Sequence, residues 1–194
     1  MLAQKTGSSQ PILVPPKVGR FSFDGTFSVG VDQLIITLIE TGRQASEEEL
    51  DRIIEHVARA PFATHPVRIS RWLREELRKH QLHVTQARMP SLELHLLKRI
   101  YVDRQWPPQT TPEGFVADLH KAVRHPDVRV WTYKFRGEPY IGFLSPSHVQ
   151  DVANPEKFIY VAYSPRYGVI ITGYQASGPE AIFISGFEGL KRQR

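Results

Sequence analysis

From Leu50 the apolar residues recur at every third or fourth position: Leu50, Ile53, Ile54, Val57 and Ala58. That spacing lays one apolar stripe along a helix. Just before it, Ser46 with Glu49 three residues on makes a capping box, and Glu47, Glu48 and Glu49 suit the positive end of a helix dipole. The pattern predicts a helix to about Ala60, stopped by Pro61. Upstream, Leu34 to Ile39 is a nearly continuous apolar run that fits either a buried strand or a turn of helix, since periodicity does not separate them. Residues 21–32, with Phe21, Phe23 and Phe27 alternating among Gly, Ser and Asp, predict a short strand or hairpin. Residues 1–20 carry Ser8, Ser9, Pro11, Pro15 and Pro16 without a sustained period and predict a flexible segment. Downstream, Pro66 in an early helical position opens a predicted helix from Val67 to His80. Ile69, Trp72, Leu73 and Leu77 take one face, and Arg68, Arg71, Arg74, Arg78 and Lys79 mark much of the other. Ser91 is the expected N-cap of a third helix through Leu92, Leu96 and Ile100. Thr111 as N-cap, with Pro112 at the first helical position, opens a fourth through Phe115, Leu119 and Val123.

After Val128 the period changes to two. Strands are predicted at Val128–Phe135, Tyr140–Leu144, Lys157–Tyr163, Val169–Tyr174 and Ala181–Ser185. Helices first and strands last predict an α+β fold with a mainly antiparallel sheet of four or five strands. The organisation read from this is a flexible segment (1–20), a mostly helical accessory segment (21–89) and an α+β domain (90–194).

Composition narrows the function classes. The chain has 194 residues, 41% of them hydrophobic, enough for a core without staples. It has no cysteine, which excludes disulfides and thiolate metal sites. No apolar run approaches the roughly 20 residues that span a bilayer, so no membrane partner is expected. The first ten residues lack the apolar core of a signal peptide, and the expected location is cytoplasmic. The net charge of +5 is unevenly placed: −2 over residues 1–64, +7 over 65–136 and 0 over 137–194. A localised basic surface attracts polyanions, nucleic acid first among them, although a solvated Arg-rich helix surface has the same composition.

Chemistry is concentrated in two places. On the third helix, His95 is followed by Lys98 and Arg99, three and four residues on and so on one face, and then by Arg104. An imidazole beside two cations loses proton affinity, which suits a neutral base, while the cations suit a phosphodiester. On the strand at 169–174, alternation puts Ile170, Thr172 and Tyr174 on one face, and Tyr163 on the partner strand joins them if the register allows. Hydroxyls so placed suit phosphate oxygens or a ribose 2′-OH; a half-exposed polar sheet face is the plainer alternative. Trp106, in the rigid Trp106-Pro107-Pro108 elbow, is either a stacking platform or a buried corner residue. His80 and His83 are too few for a zinc site, which needs three or four protein ligands. Neither a metal nor another cofactor is expected.

The stretch Ala162-Tyr163-Ser164-Pro165-Arg166-Tyr167-Gly168-Val169-Ile170-Ile171-Thr172-Gly173-Tyr174 resembles the hairpin of toxin branches of the RelE/barnase/colicin-type ribonuclease superfamily. The helix bearing His95-Leu96-Leu97-Lys98-Arg99, followed by Trp106-Pro107-Pro108, looks like the helix that precedes such sheets. The resemblance covers roughly residues 90–188. It implies His95 as a base, Thr172 and Tyr174 as phosphate or ribose contacts, and Lys98, Arg99 and Lys134 in cation roles. It also implies RNA as substrate and an inhibitor or antitoxin protein as partner.

Three readings therefore stand at this point. The first is a metal-independent endoribonuclease that uses 2′-OH attack on the phosphodiester. The second is a non-catalytic nucleic-acid-binding protein that docks phosphates through the basic region 65–136, with Arg71, Arg74 and Arg78 foremost and Arg104, Lys134 and Tyr163 as further contacts. The third is a protein-interaction module, with an apolar edge strand near Ala181–Ser185 open to pairing between subunits.

Overall fold

The computed structural model describes residues 28–183 and 185–194. The flexible segment expected at 1–20 and the strand or hairpin around Phe21, Phe23 and Phe27 lie outside them. The run Leu34–Ile39 is helical. Helix α1 spans Ser28–Thr41 and buries Val31, Ile35 and Leu38, a spacing that faces one side. Helix α2 spans Glu47–Val57 and has the full capping box. Ser46 Oγ accepts from the Glu49 N–H at 3.1 Å, and the Glu49 carboxylate accepts from the Ser46 N–H at 2.9 Å.

The next segment departs from expectation. Pro66–Arg68 is strand β1, not the first turn of a helix, and helix α3 is confined to Arg71–Lys79. The reason is local: Ser70 Oγ accepts from the Leu73 N–H at 3.1 Å and sets a later start. With that start Leu73 and Leu77 are the inward pair, and Trp72, expected among the apolar positions, is 53% exposed. β1 pairs antiparallel with strand β2, Arg88–Pro90, which runs directly into helix α4, Ser91–Leu97. Ser91 is consequently the first residue of α4 rather than its cap, and it is buried. Past Leu97 the helix widens into a π-type turn, Lys98–Val102, closed by the Asp103 N–H on the Lys98 carbonyl at 2.9 Å. Such widenings are frequent at functional sites. Helix α5, Pro112–Val123, starts as predicted: Thr111 Oγ1 accepts from the Gly114 N–H at 3.0 Å and Pro112 opens the first turn.

The strands are β3 (Arg129–Phe135), β4 (Glu138–Pro146), β5 (Phe158–Ser164), β6 (Val169–Ala176) and β7 (Phe187–Arg192). They form one antiparallel sheet in the order β6-β5-β4-β3-β7. The fold is α+β, with helices preceding the sheet. The fifth strand is displaced from its expected place. Pro179–Ala181 is a short 3₁₀ turn, and Ile182 and Phe183 cover the outer sheet face against Trp131, Tyr133 and Tyr160. Only after Gly186, with φ 76°, does the chain reach the edge beside β3. The apolar run there serves as cover, not as an edge.

The main core lies between the helices and the inner sheet face, and α1 and α2 contribute to it beside α5, β4 and β5. Tyr163 of β5 is fully buried in that core. Its hydroxyl donates to Asp32 Oδ1 of α1 at 2.6 Å, and His56 Nε2 of α2 stands 3.1 Å from the same oxygen and 2.9 Å from the phenol oxygen. Both contacts are satisfied with the proton on Nε2. Burial first, and Asp32 next, hold the phenol protonated. The three groups bolt both N-terminal helices to the sheet. Tyr163→Phe removes a hydrogen bond to a carboxylate and should lower stability by about 2 kcal/mol. Urea unfolding checks this: the midpoint should fall with the slope unchanged.

Candidate active site at the β6 edge

Among the described residues strand β6 has a sheet neighbour on one side only, and an uncovered edge invites pairing with another chain. Side chains and one short segment cover it. The Ile170 N–H donates to the Pro61 carbonyl at 2.9 Å and the Ala63 N–H donates to the Ile170 carbonyl at 2.8 Å. Arg99 Nε donates to the Gly173 carbonyl at 2.9 Å. Gln105 Nε2 donates to the Gln175 carbonyl at 2.9 Å and its Oε1 accepts from the Gln175 N–H at 3.1 Å. These ties draw α4 and the π-type turn alongside β6. They bring His95 and Arg99 to the strand that carries Thr172 and Tyr174, with Lys98 beside Arg99 in the chain.

A bulge decides which β6 side chains meet them. Ala162 lies opposite Thr172, but Tyr163 lies opposite Ile170, so Ile171 is an extra residue. Ile170 consequently joins Tyr163 in the inner core. Thr172 and Tyr174 share the face of their partners Ala162 and Tyr160, which belong to the outer cluster. The expected face of Ile170, Thr172 and Tyr174 is therefore split, and Tyr163 does not join the hydroxyl pair.

His95 Nδ1 stands 3.5 Å from Thr172 Oγ1. That is the outer limit of a hydrogen bond, and such contacts commonly tighten when substrate binds. The Phe62 ring packs edge-on against the imidazole at 5.4 Å. Arg99, 8% exposed, pairs with Asp103 and lies 4.9 Å above the Tyr174 ring centre. Burial, then Arg99, Lys98 and His65, pull the His95 pKa down to about 4. Burial, then Arg99, lower the proton affinity of Lys98, with Asp103 opposing. Burial raises the pKa of Tyr174, with Arg99 opposing, so its hydroxyl stays a donor. A neutral imidazole, a cation-backed phenol and a threonine hydroxyl on one half-buried surface can accept a proton and hold an anion.

The His95 environment has a stability consequence. The unfolded chain protonates this imidazole near 6.5, the folded chain only near 4. Between those values the unfolded state binds more protons, so stability is full above about pH 6.5 and is lost as pH falls toward 4. The contribution is on the order of 3 kcal/mol. His120, whose pKa burial also lowers, adds to the same trend. The difference between the parent and His95→Leu isolates the His95 part: its denaturation midpoint should depend less on pH across that window.

Other predicted residues lie elsewhere. Lys134 sits on β3, three strands from β6 and paired with Pro139 and Glu188, about 14 Å away at ordinary strand spacing. It has no place in the cluster. Arg71 is paired with Glu75 on the exposed surface of α3, Arg74 is half-buried and Arg78 is exposed. They belong to α3, which packs on the π-type turn rather than on β6. Arg104 is exposed and follows that turn with φ 55°, its carbonyl accepting from the Asn154 N–H at 3.1 Å. Trp106 is the buried corner: it is 2% exposed and its Nε1 donates to Asp118 at 3.0 Å. Sequence reasoning missed His65, Phe62 and Gln105. The Ser91 N–H on the His65 carbonyl at 3.1 Å brings His65 beside α4, and no spacing within the chain signals that contact.

Among the described residues no three His, Asp or Glu side chains gather as metal ligands, and no helix is long and apolar enough to cross a membrane. No family model matches the chain, and neither the curated proteins nor the solved structures contain a significant match.

Proposed function

We propose that the chain is a metal-independent endoribonuclease of toxin type that acts on cytoplasmic RNA at His95, Lys98, Arg99, Thr172 and Tyr174. One observation carries the reading: His95 of α4 and Thr172 of β6, 77 positions apart, meet at 3.5 Å beside the buried Arg99. In the proposed reaction neutral His95 takes the proton of a ribose 2′-OH. The freed oxygen bonds to the adjacent phosphorus, the P–O5′ bond breaks, and O5′ takes a proton from Lys98, whose own is held less tightly than usual. Arg99, Thr172 and Tyr174 meet the extra charge on the phosphoryl oxygens. The products are a 2′,3′-cyclic phosphate and a 5′-hydroxyl.

A base with pKa about 4 is a weak one; burial is the largest cause, and the charges of Arg99, Lys98 and His65 add to it. A bound phosphodiester opposes their field and raises the proton affinity of His95 toward the range where a general base works best. The toxin reading also assigns an inhibitor protein as partner. The test is purified protein with an RNA oligonucleotide in EDTA. Cleavage leaving cyclic phosphate ends is expected, with a 2′-O-methyl strand of the same sequence resistant. Intact RNA at micromolar protein would defeat the proposal.

A further inference from the structure

We infer that the β1–β2 ribbon is a docking surface for single-stranded RNA, gripping the strand's phosphates beyond the candidate site; only its role in feeding His95 rests on the ribonuclease reading. Arg68 and Arg88 are direct cross-strand partners in the ribbon, and both are exposed. The Ile69 N–H donates to the Ala87 carbonyl at 3.1 Å, which makes the adjacent Arg68–Arg88 pair a non-hydrogen-bonded one. In such pairs side chains approach most closely, with Cβ atoms about 4.5–5.5 Å apart. Like charges so placed repel. Among the described residues neither arginine belongs to an ion pair, whereas nearby Arg71 and Lys79 are both paired, with Glu75 and Glu76. A phosphate between the two guanidinium groups turns that repulsion into two attractions.

Two further observations choose the partner. Residues 65–90 hold six Lys/Arg against two Asp/Glu, so the surface as a whole fits a polyanion. The helix that β1 feeds presents Trp72, 53% exposed, and an exposed aromatic ring beside a cationic track is how single strands are held, by base stacking. The ribbon is also aimed at the site. Its base is fastened by the Ser91 N–H on the His65 carbonyl at 3.1 Å and by the Leu92 N–H on the Ala63 carbonyl at 3.1 Å, beside His95. The arginine pair lies three residues out, about 10 Å along the strands. A strand held there passes into the cluster within a few nucleotides.

The experiment measures binding of the full chain to a labelled 2′-O-methyl RNA oligonucleotide, which lacks the nucleophile, across a salt series. Replacing both arginines (Arg68→Gln with Arg88→Gln) should lower the slope of log K against log salt by about 1.4, the value for two single-strand phosphates. The control pair Arg52→Gln with Arg136→Gln, on α2 and the β3–β4 turn, should leave the slope unchanged. Trp72 gives a second readout, because Trp106 and Trp131 are 2% and 7% exposed. RNA should quench the fluorescence of the parent and not that of Trp72→Phe. An unaltered slope in the Arg68/Arg88 variant, or an equal loss in the control, overturns the inference. Loss of slope with no cleavage of ordinary RNA by the parent keeps this surface and removes the ribonuclease reading; cleavage with an unaltered slope does the reverse.

Discussion

His95→Ala should cleave RNA about 10²–10⁴-fold more slowly than the parent, the range that general-base catalysis contributes. Its imidazole is the one group in the cluster that is both neutral at physiological pH and placed at a hydroxyl of β6. Thr172→Val, which removes a contact to the phosphate and leaves the base, should cost less. A merely structural histidine would lower the amount of folded protein without altering the pH dependence of what remains. The profiles therefore discriminate. For the parent, kcat/KM reports free protein and should keep its acid limb near pH 4, whereas kcat reports the complex and should have its limb at higher pH, because the bound phosphate raises the pKa of His95. Coincident limbs, or an active His95→Ala, would remove His95 from the chemistry.

Gly173→Ala should destabilise the protein by about 1–3 kcal/mol, and Gly173→Val by more. A Cβ at this position would sit 2.4 and 2.6 Å from the two terminal carbons of Leu119, itself fully buried on α5. The strand is further pinned here by Arg99 on the Gly173 carbonyl, so relief by sliding β6 would disturb the candidate site as well. Leu119→Ala alone should cost about 2–5 kcal/mol through the cavity it leaves. Combined, the two changes should cost less than their sum, since the new methyl enters the space vacated. Thermal melts of the two singles and the double complete the test, and a Gly173→Ala variant as stable as the parent would refute the packing argument.

Much of the fold is legible because it is written locally. Ser46 with Glu49 and Thr111 with Pro112 act within one turn of chain, so their helices start where the pattern puts them. The hairpin β5–β6 is legible for the same reason: its turn and alternation are contained in one stretch. Pro66 misleads because two signals compete over four residues, and the Ser70 cap wins. The candidate site is half legible. His95, Lys98 and Arg99 share a helix face that spacing alone predicts, and Thr172 and Tyr174 share a strand face.

By itself the amino-acid pattern determined the α+β class, the order of helices before strands, the caps at Ser46 and Thr111, and the two short stretches that hold the imidazole and the hydroxyls. Tertiary structure alone decided that β6 is an edge, that Arg99 and Gln105 cover it, and that Thr172 thereby comes within 3.5 Å of His95. It also decided, through the one-residue bulge at Ile171, that Ile170 turns inward beside Tyr163 while Tyr174 keeps the outer face and meets Arg99. The physical reason is that the face a strand residue takes depends on its register with a neighbour, and one extra residue reverses it. Coverage of an edge likewise depends on which strand lacks a neighbour, a property of the assembled sheet that no local spacing contains.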